Sequence, residues 1–116
     1  MNEDIAASVT DIMRSPLSKD GVAYGNGGAL AEKLPVAGLP SNGTDTSASW
    51  FVGYTPSVVT AVALFSPQAD GSLQELAPFG GDEDAGGRGY ALRVFSSYTQ
   101  AVSDGKDVGE FPHVSK

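Results

Sequence analysis

Apolar residues alternate with polar or small ones through the middle of the chain, and that alternation changes period on either side. Within residues 48–54, Ala48, Trp50, Val52 and Tyr54 fall on one side and Ser49, Phe51 and Gly53 on the other, so large apolar groups occur on both faces of a predicted strand. Residues 58–65 repeat the pattern: Val58, Thr60, Val62 and Leu64 alternate with Val59, Ala61, Ala63 and Phe65, which predicts a central strand covered on both sides. The short Thr55-Pro56-Ser57 link makes the two an antiparallel hairpin. A third, shorter strand is predicted over residues 34–38, with Pro35 suited to a strand start or edge because it has no N–H for a ladder bond.

The flanks have helical period. Residues 2–14 place Ile5, Val9, Ile12 and Met13 on one face, with Asn2 able to cap the helix and Glu3 and Asp4 favoured at its positive end. Residues 90–103 carry a stripe of Ala91, Val94, Phe95, Tyr98 and Val102, followed by Gly105 as a stop. Between these elements the pattern lapses. Residues 15–33 contain Gly21, Gly25, Gly27 and Gly28 and read mainly as loop with one helical turn at 29–33; residues 40–47 are polar turn material; residues 68–89 are a loop rich in Gly and Asp; residues 106–116 form an irregular tail. The predicted fold class is α/β in the α+β sense, one domain over residues 1–116, with a three-stranded, mainly antiparallel sheet flanked by an N-terminal and a C-terminal helix. Its expected core is Trp50, Phe51, Phe65, Phe95 and Tyr98.

Charge and composition narrow the function. Fourteen acidic against seven basic residues leave a net charge of −7, which repels phosphate backbones, so nucleic acid is not an expected partner. The chain has no cysteine, which excludes disulfides, thiol catalysis and cysteine-bound zinc. Its longest apolar run, residues 58–65, falls far short of the roughly 20 residues of a membrane-spanning helix. Met1-Asn2-Glu3-Asp4 is unlike the basic, then apolar, start of a signal peptide.

Several segments together resemble a known family. Ile5 to Arg14, Val22-Ala23-Tyr24-Gly25-Asn26, residues 35–38, residues 50–56, Thr60-Ala61-Val62, Phe79-Gly80-Gly81 and Glu110-Phe111-Pro112 are similar in order and wording to the C-terminal part of the transpeptidase domain of class A penicillin-binding proteins, especially those of actinobacteria. The resemblance implies a part of the penicillin-binding and serine β-lactamase-like transpeptidase fold, working in peptidoglycan biosynthesis outside the cytoplasmic membrane. Members of the family act on D-alanyl-D-alanine ends of stem peptides through an acylated serine, assisted by a lysine. Their Ser-x-x-Lys and Ser-x-Asn motifs would lie upstream of Met1, and their Lys-Thr-Gly motif should fall at Leu39-Pro40-Ser41. There the chain departs from the pattern. Leucine brings no charge to the cleft, Pro40 removes an N–H from the strand edge, and Ser41 offers a hydroxyl displaced from the threonine position; losing one preorganised electrostatic contact costs about 3 to 4 kcal/mol of transition-state stabilisation.

The resemblance therefore implies a substrate edge at Gly38, Leu39, Pro40, Ser41, Asn42, Gly43 and Thr44, without catalytic residues. Other motifs read more plainly. Ser103-Asp104-Gly105-Lys106 has Ser-x-x-Lys spacing but straddles a predicted helix stop, and is expected to be solvated surface. Asp82-Glu83-Asp84 lacks the glutamate an EF-hand loop needs at its twelfth position, where Arg93 stands. Gly25-Asn26-Gly27-Gly28-Ala29-Leu30 has Leu30 where a dinucleotide fingerprint ends in glycine. His113 is the only histidine and lies in the tail, and Asn42-Gly43-Thr44, a glycosylation sequon, reads as a polar turn. No metal or cofactor is expected. The expected function is that of an inert fragment or degenerate copy of a transpeptidase domain. The alternatives are a noncatalytic interaction module using its strand edge, or half of a complemented enzyme; the candidate partners are a peptidoglycan stem peptide or the missing half of the domain.

Overall fold

The computed structural model describes residues 2–42, 48–74, 76 and 87–112. It is a mixed α+β fold with an open four-stranded antiparallel sheet, helices preceding and following it in sequence. Helix α1 (Glu3–Arg14) leads through a 3₁₀ turn (Ser15–Leu17) to α2 (Tyr24–Lys33). Strands β1 (Ala37–Asn42), β2 (Ala48–Tyr54), β3 (Val59–Pro67) and β4 (Leu73–Gln74) lie side by side in chain order. A single π turn (Gly87–Ala91) runs directly into α3 (Leu92–Ser103). No helix among the described residues is long and apolar enough to cross a membrane.

The predicted hairpin is present: β2 pairs with β3 from Ala48–Phe65 to Tyr54–Val59, and Thr55 shapes the link by accepting the N–H groups of Ser57 and Val58 on its hydroxyl, each at 3.2 Å. Asn2 caps α1 by accepting the Asp4 N–H at 2.7 Å. Gly105 stops α3 with a φ of 71°, as expected of a residue without Cβ strain in the left-handed region.

Several expectations need correction. Residues 15–33 are not mainly loop, because α2 takes ten of them; two of its glycines stand where side chains crowd in, since a Cβ on Gly27 would meet the buried Leu17 and Leu92 and one on Gly28 the Tyr24 ring. The first strand is not 34–38 but Ala37–Asn42, so it runs through Leu39-Pro40-Ser41 instead of turning there. A fourth strand, β4, lies within the predicted 68–89 loop; at two residues it is too short to leave a period in the sequence.

Other corrections concern facing. Cross-strand partners share a face, so the core side of the sheet carries Gly38, Pro40, Ser49, Phe51, Gly53 and Val62, while the other carries Leu39, Trp50, Val52, Val59 and Phe65. Helices α2 and α3 cover only the first side. Phe51 and Phe95 form the core as expected, fully buried with ring centroids 4.7 Å apart, joined by Leu17, Leu30, Val36 and Leu92. Trp50, Phe65 and Tyr98 are instead 42%, 55% and 50% exposed. The reason for the first two is that β2 and β3 are apolar on both faces but covered on one. Tyr98 is displaced because α3 buries the row Leu92, Phe95, Thr99 and Ser103, whose small polar members allow close approach, and turns Val94 and Tyr98 outward. Likewise α1 buries Ala7 and Thr10, leaving Ile5, Val9 and Ile12 exposed. Small residues let this helix lie close to β1, where Thr10 Oγ1 and Tyr54 Oη hydrogen-bond at 3.0 Å.

Candidate functional site: the β1 edge

Strand β1 follows the Pro35-Val36 link and is fixed in register by pairing Gly38 with Gly53, Leu39 with Val52, Pro40 with Phe51, Ser41 with Trp50 and Asn42 with Ser49. Two of these pairs explain the local sequence. A Cβ on Gly38 would stand 2.7 Å from the Phe51 ring, and one on Gly53 would stand 2.7 Å from Phe95 Cζ, so the paired glycines make the hollow into which the two phenyl rings fit. Pro40 sits on an edge strand, where a missing N–H breaks no ladder.

The residues of the sequence-derived edge are thereby separated by face. Gly38 is buried against Phe51, Leu39 is half-exposed on the opposite side, Pro40 turns toward the core side half-buried, and Ser41 is exposed beside Trp50. Gly43 and Thr44 lie outside the described residues, as do Phe79-Gly80-Gly81, Asp82-Glu83-Asp84 and His113. Nothing on Ala37–Asn42 is charged, so no fixed ammonium group is contributed by the strand where the resemblance expects one.

Two residues with no distinguishing sequence signal hold the far end of the strand. Gly87, the first residue of the π turn, lies on the β1–β2 ladder: a Cβ there would collide with the Trp50 carbonyl and reach Ser41 N at 2.5 Å. Ser49 is fully buried, and its hydroxyl accepts the Ala91 N–H at 3.3 Å, tying the entry of α3 to β2. Gly87 was one glycine among many in a Gly-rich stretch, and Ser49 looked like any polar residue between apolar neighbours.

The Ser-x-x-Lys spacing at Ser103 to Lys106 does close a helix instead of opening one, with the Lys106 N–H donating to the Ser103 carbonyl at 3.1 Å. The expectation that all of it is solvated needs correction for Ser103, which is 6% exposed at the end of the buried α3 row, while Asp104, Gly105 and Lys106 are exposed. Ser103 and Lys33 border a shallow cleft of about 230 Å³ between the ends of α2 and α3. Among the described residues no group of three or more His, Asp or Glu could hold a metal ion.

Comparisons with protein-family models, with curated proteins and with solved structures found no match. Chemically, β1 is the end strand of the sheet among the described residues, without an N–H at Pro40 and with an apolar side chain at Leu39 and a hydroxyl at Ser41. That set can hold an extended peptide by strand addition. It has no general base or cation on the strand to activate a hydroxyl.

Proposed function

We propose that the chain is a catalytically inert copy or fragment of a penicillin-binding transpeptidase domain, of the serine β-lactamase-like fold, which keeps part of the sheet scaffold of cell-wall cross-linking enzymes and not their chemistry. The observation that carries this reading is the content of β1. The strand that, on the resemblance, stands where the family has Lys-Thr-Gly is the edge strand of an antiparallel β1-β2-β3 series followed by a C-terminal helix, and it carries Leu39-Pro40-Ser41. Its expected setting is the extracytoplasmic face of a bacterial membrane.

Leucine at position 39 is the decisive change. A transpeptidase needs positive charge beside its cleft to receive the substrate carboxylate and assist acylation, whereas Leu39 presents a half-exposed isobutyl group. The test is incubation of the purified chain with a fluorescent penicillin and with ampicillin, read by gel fluorescence and intact-mass spectrometry. The expected result is no covalent adduct after prolonged exposure; an adduct abolished by replacing one serine would defeat the inert reading.

A second reading is favoured by the place of β1 at the end of the strand order, where β2 is its one strand partner among the described residues. On it the domain is a noncatalytic interaction module that adds a peptidoglycan stem peptide or a segment of the complementary transpeptidase half as a further strand. Sedimentation with and without the complementary half tests it: a strictly monomeric chain that ignores that half counts against the module, whereas restored thioester turnover on mixing supports a complemented enzyme instead.

A further inference from the structure

The side of the sheet away from α2 and α3 is covered only in part. Helix α1 stands over its Ala37–Tyr54 end, where Thr10 meets Tyr54, and Phe111 packs against the same tyrosine. Val59 (75% exposed) beside Tyr54, and beyond it Leu39 (51%), Trp50, Val52 and Phe65, remain open to solvent on the same face. No charged residue interrupts that face of β1, β2 or β3. In a chain of net charge −7, a sheet face without a single charge is a surface kept for contact.

The same chain carries the complement. Ile5, Val9 and Ile12, spaced four and three residues apart, make one ridge along α1 and are 56%, 46% and 69% exposed. At about 3.6 residues per turn that ridge is on the side of the helix opposite Ala7 and Thr10, which face the sheet. Each copy thus presents an apolar ridge pointing away from its own sheet and, next to the helix that bears it, a flat apolar patch of the height of one helix below.

We propose that two copies of this chain pack face to face about a two-fold axis, α1 of each lying on the open sheet face of the other. The ridge of one copy meets Leu39, Val52 and Trp50 of its partner, and the symmetry repeats the contact, as an isologous interface requires. The result is three layers, with the two α1 helices side by side between two sheets. Size supports the assignment. Taking about 150 to 250 Å² for a whole aromatic side chain and less for an aliphatic one, these half-exposed residues offer on the order of 700 Å² per copy, close to the roughly 800 Å² per partner of a standard stable interface. The contact uses the outward side chain of Leu39 on β1 but neither the backbone edge of that strand nor any catalytic chemistry, so it does not rest on the transpeptidase reading.

Sedimentation equilibrium of the full chain at micromolar concentration and moderate salt is expected to show a species of twice 11.9 kDa, tightening as salt screens the repulsion between two copies of charge −7. Ile12→Lys and Val52→Glu, both at exposed positions, should each weaken the dimer at least tenfold, and the double variant should recover it by placing lysine of one copy beside glutamate of the other. Because the native chain has no cysteine, a mixture of Ile12→Cys and Val52→Cys chains provides an independent measure: oxidation should yield the mixed disulfide in preference to either self-pair. A wild-type chain that stays monomeric at 100 µM, whether or not it captures another protein, overturns the proposal, as does a dimer that neither charged variant weakens or a mixture that gives no mixed disulfide.

Discussion

Asp70 shows how one exposed side chain shapes its surroundings. Its carboxylate accepts the Ser72 hydroxyl at 2.6 Å and the Ser72 N–H at 2.9 Å, inside the turn that joins β3 to β4, where Gly71 has a φ of 88° and donates its N–H to the Gln68 carbonyl. The Ser72 hydroxyl first, and then the Ser72 backbone N–H, hold the Asp70 carboxyl below its ordinary value. A depressed folded value means that the unfolded chain binds the proton more readily; the turn's contribution is therefore present above the unfolded value and is lost as pH falls through the folded one. An NMR acid titration should show the Ser72 amide moving with the Asp70 carboxyl, at a midpoint lower than that of an unfolded aspartate, and Asp70→Asn should remove the titration. Tyr24 works in the opposite sense. Its hydroxyl donates to Glu32 at 2.8 Å, and that bond raises its ionisation above the ordinary tyrosine value, so its contribution is full below the unfolded value and lost as pH rises through the folded one.

Helix α2 separates what a sequence states about an element from what its neighbours impose. Gly25, Gly27 and Gly28 lower helix propensity by about 1 kcal/mol each relative to alanine, which is why the sequence reads as loop, and no side chain caps the start at Ala23. The helix forms because Leu30 enters the core with Leu17, Leu92 and Phe95, and because Gly27 lets the segment approach Leu17 and Leu92. The glycines are consequently not equivalent. Gly25 has nothing within 4 Å of a Cβ, so Gly25→Ala should raise stability by about 0.5 to 1 kcal/mol. Gly27→Ala should lower it by about 1 to 3 kcal/mol through overpacking. Urea unfolding of the two variants would show midpoints moving in opposite directions. The contrast also marks how far the sequence could be read. Strands β2 and β3 and the ends of α1 and α3 were legible because alternation, the Asn2 cap and Gly105 are local signals. Which face of β2 is buried was not, because Phe51 and Trp50 are equally apolar, and the choice was made by Gly38 and Gly53 opening a hollow on one side. At the candidate site, the run of strand through Leu39-Pro40-Ser41 to Asn42 was hidden by Pro40, which reads as a breaker unless the strand is known to be at an edge.

At the scale of the whole molecule the segment after α3 acts as a clasp. Residues 107–112 form neither helix nor strand, yet Phe111 is 8% exposed, meets Tyr54 edge-on with ring centroids 5.6 Å apart, and lies 5.4 Å beneath the Arg14 guanidinium. Ser57, in the hairpin link, donates its hydroxyl to the Val108 carbonyl at 2.7 Å. Phe111 thus touches the C-terminal end of α1 and the end of β2 at once, on the side of the sheet that α2 and α3 leave uncovered. The core pair Phe51–Phe95 lies on the other side and does not use it. Stability should therefore be divided between the two sides of the sheet. Phe111→Ala should cost about 3 kcal/mol, the low end for loss of a buried phenyl group, and the loss should be local. Hydrogen exchange read by mass spectrometry should speed up in α1 and in the Thr55–Val58 link, while β2 and α3 amides near Phe51 and Phe95 keep their protection. Uniform acceleration through both helices and the sheet would instead mean that the clasp and the core form one cooperative unit, and that α1 is held by more than Thr10, Ala7 and the phenyl ring beneath Arg14.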